Sequence, residues 1–159
     1  MPNLSTCDVL VVEDDPAAVQ LLEQAFEKAG LMAPLHIVRN DDEAKAYLGG
    51  EGNFADRGKF PVPMIILLSP RPPAKTSLGL LEWLRKQPVI GGIPVILIMT
   101  SGARSEELER AYALGANSVL VPATIEELLE SVRAVRQYWL LTNMGPQKKP
   151  ERGRLWGNK

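Results

Sequence analysis

Apolar and polar positions along the chain form alternating blocks that predict strands and helices in turn. Five short, largely apolar segments predict strands buried on both faces, and each is followed by residues with helical spacing of apolar positions. The predicted strands cover residues 7–12, 35–38, 63–68, 93–99 and 118–121. The first helix shows the spacing most clearly, with an apolar stripe formed by Val19, Leu22, Ala25, Phe26 and Ala29.

Capping signals mark where several of these helices begin and end. A side-chain acceptor at the N-cap, followed by proline or by an acidic residue three positions later, satisfies free backbone N–H groups. Such signals occur at Asp15-Pro16, at Asn40 with Glu43 and at Thr124 with Glu127. Helices three and four are expected over residues 78–86 and 104–114, and residues 51–61 and 69–77 are expected to be loops.

Strict alternation of five strands and five helices predicts a parallel sheet with helices on both faces. The fold class is therefore α/β, a flavodoxin-like (βα)5 three-layer sandwich with strand order 2-1-3-4-5. One domain is expected over residues 1–144, followed by a basic tail containing proline and glycine over residues 145–159. Function in such sheets resides at the carboxyl ends of the strands. The positions to inspect are Glu13 and Asp14, Ser69, Thr100 and Pro122.

Composition excludes several classes of protein. The apolar runs 64–68 and 95–99 are too short to span a bilayer, and the first residues do not resemble a signal peptide. We therefore expect a cytoplasmic protein without a membrane partner. Cys7 is the only cysteine, so an internal disulfide is impossible, and we expect it to be a small buried group. The basic tail comes without a recognition fold, so we predict a solvated tail and no nucleic-acid binding.

Three segments resemble the receiver domain of two-component response regulators. They are VVEDDP at residues 11–16, PVILIMTS at residues 94–101 and ALGANS at residues 113–118. The loop 49–61 and the sequence YWL at residues 138–140 resemble a subgroup of these domains. Its members are small single-domain regulators that serve bacteriophytochrome-type histidine kinases. The likeness extends over residues 7–142.

The resemblance implies a site for phosphoryl transfer from a kinase histidine to an aspartate after the third strand. That chemistry requires a carboxylate nucleophile, Mg²⁺ held by carboxylates, a hydroxyl and a lysine. The acid pair corresponds to Glu13 and Asp14, and the hydroxyl corresponds to Thr100. These three positions retain the residue types that the family uses.

Other positions of the same site depart from the family. Ser69 stands where the aspartate is expected, with Pro73 four residues later as in the family. Pro122 replaces the lysine, and Val119 replaces the aromatic residue that responds to phosphorylation. A serine hydroxyl is neutral at pH 7 and needs an adjacent base, and proline supplies neither charge nor N–H. The two remaining carboxylates allow at most weak Mg²⁺ binding.

We therefore predict an atypical receiver, or pseudo-receiver, that is not an enzyme, has no cofactor and signals by protein–protein interaction. The partner would be a histidine kinase or another signalling protein. A homodimer is also predicted, formed through the fourth helix, the fifth strand and the fifth helix. The residues expected at that interface are Glu106, Glu107, Arg110, Glu130, Arg133, Arg136 and Trp139. The alternative for this surface is a solvated charged face on which Trp139 closes the core.

Two other functions remain open. Ser69 could be phosphorylated by a separate kinase, or Glu13 and Asp14 could sense a divalent ion. A small flavodoxin-like enzyme or ligand-binding protein is a different class. Against it, the chain has no glycine-rich phosphate loop and no nucleophile–base pair. His36, the only histidine, is expected on the surface or at a strand edge, away from the site.

Overall fold

The computed structural model of the protein describes residues 8–30, 35–70, 75–99 and 102–142. Three of the predicted features, Cys7, Thr100 and the tail over residues 145–159, lie outside these ranges. The register residue Pro73 lies outside them as well.

Five strands and five helices alternate along the chain. The strands are β1 (Val9–Val12), β2 (Leu35–Val38), β3 (Ile65–Leu68), β4 (Val95–Ile98) and β5 (Ser118–Leu120). The helices are α1 (Pro16–Lys28), α2 (Asp41–Gly49), α3 (Lys75–Arg85), α4 (Ser105–Ala113) and α5 (Ile125–Val135). A 3-10 turn covers Gly52–Phe54, and a π-helical segment, Arg136–Thr142, continues α5.

The strands form one parallel sheet in the order β2-β1-β3-β4-β5, which confirms the predicted fold class. Val12 pairs with Val38 on one side and with Leu68 on the other. Strands β1 and β3 are buried along their whole length, as their uniformly apolar sequences predicted. Within the described residues, no helix has the length and apolar composition needed to cross a membrane.

The side chains of the sheet alternate between two separate cores, because successive residues of a strand point to opposite faces. Val9, Val11, Ile65 and Leu67 pack with α1 and α5, through side chains such as Phe26. The residues between them, such as Leu10 and Leu68, pack with α2, α3 and α4. The result is the expected arrangement of three layers.

The predicted helix caps are present. Oδ1 of Asp15 accepts a hydrogen bond from the Ala17 N–H at 3.1 Å, and Oδ1 of Asn40 accepts one from the Glu43 N–H at 2.8 Å. Oγ1 of Thr124 accepts one from the Glu127 N–H at 3.1 Å. The predicted extent of the loop 69–77 is wrong, however, because α3 already begins at Lys75.

The loop over residues 51–61 is more than the polar surface loop expected from its sequence. Phe54 and Phe60 pack against Tyr47 of α2, with ring centroids 5.3 and 5.9 Å from that of Tyr47. The Arg57 guanidinium donates hydrogen bonds to the carbonyls of Tyr47 and Leu48 at 2.8 and 2.7 Å. Arg57 therefore closes the end of α2, where carbonyl groups have no partner inside the helix.

His36 lies in β2, the edge strand of the sheet, which agrees with one of its two expected positions, but its side chain is largely enclosed. Its Nε2 lies 2.9 Å from Oδ1 of Asp8, and the two side chains are only 14% and 11% exposed. The imidazole ring also contacts Tyr47, with centroids 5.6 Å apart. His36 was correctly expected away from the site, since it is the second residue of β2 and lies near the amino-terminal edge of the sheet.

Arg85 at the end of α3 contacts the segment before β4 and the turn before β5. Its guanidinium donates hydrogen bonds to the carbonyls of Gly91, Ile93 and Gly115. Burial lowers the pKa of this guanidinium, and the three carbonyls compensate by accepting its N–H groups. One side chain thus connects the start of β4 to the start of β5.

Tyr47 gives the fold a testable dependence on alkaline pH. Burial and the negative charge of Asp8 raise its pKa from 10.0 to about 12, while Arg57 opposes them. Between these values the unfolded phenol ionises and the folded one does not, so stability should fall as pH rises through this window. Urea unfolding of the wild type and Tyr47→Phe across this range would measure the difference. Equal losses of stability in both proteins would contradict the assignment.

Candidate functional site

The carboxyl ends of the strands meet at one edge of the sheet. The Ser69 N–H donates a hydrogen bond to the Val12 carbonyl at 3.3 Å, so Ser69 follows β3 directly beside the end of β1. The Glu13 N–H donates to the Val38 carbonyl at 2.9 Å. The parallel register therefore places Glu13 next to Ser69, as the sequence predicted for the ends of β1 and β3.

Side-chain alternation decides which face these residues share. Val11 and Leu67 belong to the core beneath α1 and α5, so Glu13 and Ser69, two positions later, face the same side. Both residues line one cleft there. Glu13 is only 5% exposed, whereas Ser69 is half-buried.

The acidic residues after β1 differ in their surroundings. Oε1 of Glu13 accepts a hydrogen bond from the Asp15 N–H at 3.0 Å, which fixes the turn into α1. Asp14 is exposed, and Asp15 caps α1 while also lining the cleft. The cap function that the sequence predicted for Asp15 is therefore combined with a position at the site.

The residues after β4 and β5 complete this edge. The Met99 N–H donates to the Leu120 carbonyl at 2.8 Å, which holds the ends of the two strands level. Thr100, the predicted hydroxyl, follows Met99 and lies outside the described residues. Pro122, at the predicted lysine position, lines the cleft beside Glu13 and Ser69.

Val119 lies in β5 opposite Leu97 of β4 and packs partly buried against the core under α4. Its N–H donates a hydrogen bond to the Tyr112 hydroxyl of α4 at 3.1 Å. Tyr112 is 52% exposed. An aromatic side chain thus contacts β5 at the position where the family has an aromatic residue, but it belongs to the neighbouring helix α4.

The cleft has a volume of about 720 Å³ and lies between α1 and α5 above the strand ends. Its lining combines two carboxylates and a hydroxyl with apolar side chains. The lining residues are Glu13, Asp15, Ala18, Leu21, Leu22, Ser69, Pro70, Ile98, Met99, Pro122 and Leu128. Among these described residues there is no basic side chain.

Sequence reasoning missed most of the apolar wall. Besides Pro122, which the sequence placed at the site, Leu21 carried a signal, because it is an apolar residue outside the apolar stripe of α1. Its side chain is 39% exposed. Ile98 of β4 and Leu128 of α5 have the sequence pattern of ordinary core residues, and both pack against the core. These two side chains come together at the site only in the tertiary structure, which the apolar pattern of each segment does not predict.

The predicted interface residues separate into two groups. Glu106, Arg110, Glu130 and Arg133 are exposed on α4 and α5, and Glu107 is half-buried. The other two residues are turned towards the body of the domain. Arg136 lies against Gly30 at the end of α1, its guanidinium carbon 3.7 Å from where a β-carbon of Gly30 would stand. Trp139 packs partly buried against the core under α1 and α5, as the alternative interpretation of this surface expected.

The described residues at the strand ends offer few ligands for a resident Mg²⁺ ion. No group of three His, Cys, Asp or Glu side chains that could hold a metal is present in the described part of the chain. Glu13 and Asp14 are the predicted carboxylate ligands, Asp15 caps α1 at the same place, and Ser69 at the end of β3 adds a neutral hydroxyl. Mg²⁺ requires near-octahedral oxygen ligands and loses its water reluctantly, so weak binding at Glu13 and Asp14 stays a prediction.

A third carboxylate should restore metal binding. We expect Ser69→Asp to tighten Mg²⁺ binding by about tenfold or more over the wild type, because it adds an anionic ligand beside Glu13. Titration followed by amide NMR shifts of residues near the strand ends measures the affinity. Ser69→Asn, which is similar in size but neutral, is the control and should show no gain. Equal affinities for Ser69→Asp and wild type would contradict the placement of Ser69.

Known proteins that resemble this chain agree on its family. No protein-family model matches the sequence. The probable methanogenesis regulatory protein FilR2 of Methanothrix harundinacea is 30% identical over 139 residues, which cover 87% of this chain and 86% of FilR2.

Comparison with solved structures shows that the fold is also similar to that of response regulators. The response regulator RPA3017 in red light signaling of R. palustris is 30% identical with a TM-score of 0.81, and the match covers 89% of this chain and 99% of RPA3017. The phosphorylated cyanobacterial phytochrome response regulator RcpA is 26% identical with a TM-score of 0.76, and the match covers 87% and 97% of the two chains. The chain therefore belongs to the response-regulator receiver family, and its similarity extends to regulators of phytochrome signalling.

Proposed function

We propose that this receiver is a pseudo-receiver, which signals through protein–protein contact without forming an aspartyl phosphate. The observation that carries the proposal is the half-buried Ser69 hydroxyl at the end of β3, beside the buried carboxylate of Glu13. A serine hydroxyl cannot form the aspartyl phosphate of the family, and the single histidine of the chain lies near the opposite edge of the sheet.

The charges around Ser69 support the same proposal. Phosphate transfer places additional negative charge at the site, and cations normally stabilise that charge. The described residues that line the cleft include Glu13 and Asp15 but no lysine or arginine, and Pro122 adds no N–H donor. The described lining therefore supplies no cation for a phosphoryl group on Ser69.

The proposed partner is a histidine kinase or another signalling protein. RcpA has been solved in a phosphorylated form and is named as a phytochrome response regulator. We infer that this chain keeps the shape through which such a receiver meets its partner, while binding replaces phosphorylation as the signal. The proposal includes no cofactor and no enzymatic activity.

A separate kinase acting on Ser69 is the second candidate. One observation favours it, namely that the Ser69 hydroxyl opens into the cleft and is not fully buried. The absence of a basic side chain among the described lining residues weighs against it, because cations normally stabilise a phosphoserine. A divalent-ion switch at Glu13 and Asp14 is less favoured, because two carboxylates are fewer ligands than a Mg²⁺ site usually has.

Acetyl phosphate separates the pseudo-receiver from a working receiver. Incubation of the wild type with acetyl phosphate and Mg²⁺ should leave its intact mass unchanged, because the site offers no carboxylate after β3. The double variant Ser69→Asp with Pro122→Lys restores nucleophile and cation and serves as the positive control, with the mass of one phosphate gained. A comparable gain in the wild type would overturn the proposal.

The same receiver is proposed to form a homodimer through α4, β5 and α5. Glu106, Arg110, Glu130 and Arg133 place both signs of charge on this surface, and a two-fold axis would allow them to pair across it. Exposed Ile125, at 65%, and Val121, at 37%, add apolar area beside the charges. Contacts of this kind are screened by salt.

Light scattering coupled to size-exclusion chromatography tests the dimer. We expect a dimer at high micromolar concentration, and we expect Arg133→Glu to convert it to a monomer by placing like charges together. Lys28→Glu makes the same charge reversal on the exposed side of α1 and should leave the mass unchanged. A monomeric wild type at that concentration, or equal effects of the two reversals, would rule out this interface.

A further inference from the structure

Helix α4 is lightly packed compared with the other helices of the domain. Ala111 is the one fully buried residue among its nine, whereas α1, α2 and α5 each bury two or three. Leu108 is partly buried against the core, and Arg104 at the N-cap makes no side-chain capping hydrogen bond. A short helix owes most of its stability to packing, so a single tertiary contact has a large influence on where α4 lies.

The carboxyl end of α4 is firmly held. The Ala116 N–H donates a hydrogen bond to the Ala111 carbonyl at 3.0 Å, and the Gly115 carbonyl accepts two from the Arg85 guanidinium at 3.0 and 2.7 Å. Gly115 has a φ of 107°, which favours glycine and restricts this turn to that residue. With this end fixed, the orientation of α4 is set by the side-chain contacts along the helix.

Tyr112 makes the contact that ties α4 to the sheet. Its hydroxyl accepts a hydrogen bond from the Val119 N–H at 3.1 Å, although the side chain is 52% exposed. Val119 pairs with Leu97 inside the parallel sheet, so the phenol is bonded to a strand whose position is already fixed. Leu108 lies four residues before Tyr112, on the same side of the helix, and adds apolar contact there.

This hydrogen bond lies where the family responds to phosphorylation. The resemblance to receivers places their responsive aromatic residue at Val119, and in this chain the aromatic ring comes from α4 instead. The bond needs only a backbone N–H and a tyrosine hydroxyl, so no phosphoryl group is required to form it. Glu106 and Arg110, two charged residues of the proposed dimer face, are on the same helix. The orientation of α4 therefore determines where these charges stand.

We propose that the Tyr112–Val119 hydrogen bond is a latch that holds α4 on β5 and keeps the α4–β5–α5 face in one conformation without phosphorylation. Tyr112 is thus a positioning residue for the contact with a second copy of this chain. The latch rests on the pseudo-receiver function proposed above and supplies its regulation. A face whose helix is already in place loses less conformational freedom on binding, so the latched form binds more tightly.

Removal of one hydroxyl tests the latch. Tyr112→Phe keeps the ring and loses the acceptor, and Tyr138→Phe makes the same change at another exposed tyrosine, outside this face. NMR of the dilute full chain should show amide hydrogen exchange at Val119 accelerated by about threefold to tenfold in Tyr112→Phe, as expected for one hydrogen bond. Met99, whose N–H is bonded within the sheet, should exchange equally in both variants and the wild type.

Two further measurements separate positioning from a local effect on one amide. Relaxation dispersion should detect new microsecond-to-millisecond motion at the amides of α4 in Tyr112→Phe. Light scattering over a concentration series should show its dimer dissociation constant raised by about threefold to tenfold. Tyr138→Phe should match the wild type in both measurements.

Equal exchange at Val119 in Tyr112→Phe and the wild type would overturn the latch. Unchanged motion of α4 in dilute Tyr112→Phe would overturn it as well, even with a weakened dimer, because the hydroxyl would then contact the second copy directly. The exchange and dispersion measurements use dilute protein without acetyl phosphate. Failure of the latch is therefore distinguishable from failure of the pseudo-receiver, which the mass measurement tests, and from failure of the dimer.

Discussion

The parallel hydrogen-bond ladder at the centre of the sheet is the constraint on which the site depends. Strands β1 and β3 are covered on both faces, so a shift of register by one residue would move every side chain to the opposite core. Val12 is held level with both Val38 and Leu68 by this ladder. Glu13 consequently lies beside Ser69 because the buried residues of β1 and β3 fix how the two strands pair. The residues of the site itself do not determine this placement.

The two edges of the sheet have different physical characters. At the amino-terminal edge, Asp8 pairs with His36, and Tyr47 donates its hydroxyl hydrogen to the Pro61 carbonyl at 2.9 Å. Charged and polar groups there are enclosed and paired, which rigidifies the edge. At the carboxyl edge, apolar and acidic side chains border an open cleft.

The sequence was sufficient for the features that depend on neighbouring residues. The caps at Asp15, Asn40 and Thr124 are local hydrogen bonds, and β2 is found over the residues predicted for it. The resemblance to receiver domains located the strand ends and Ser69. The pairing of His36 with Asp8 and the packing of Phe54 on Tyr47 were missed, because each depends on a partner in another element. The cleft was missed for a related reason, since empty space between α1 and α5 is a property of packing.

The bond between Tyr112 and Val119 has a consequence for how two copies of this domain can meet. β5 is the last strand of the sheet, and an outward-facing N–H of such a strand can pair with a strand from another chain. Here the phenol of Tyr112 already accepts that hydrogen. A strand from a second chain therefore finds this N–H already occupied, which discourages continuous growth of one sheet into a fibre at this edge.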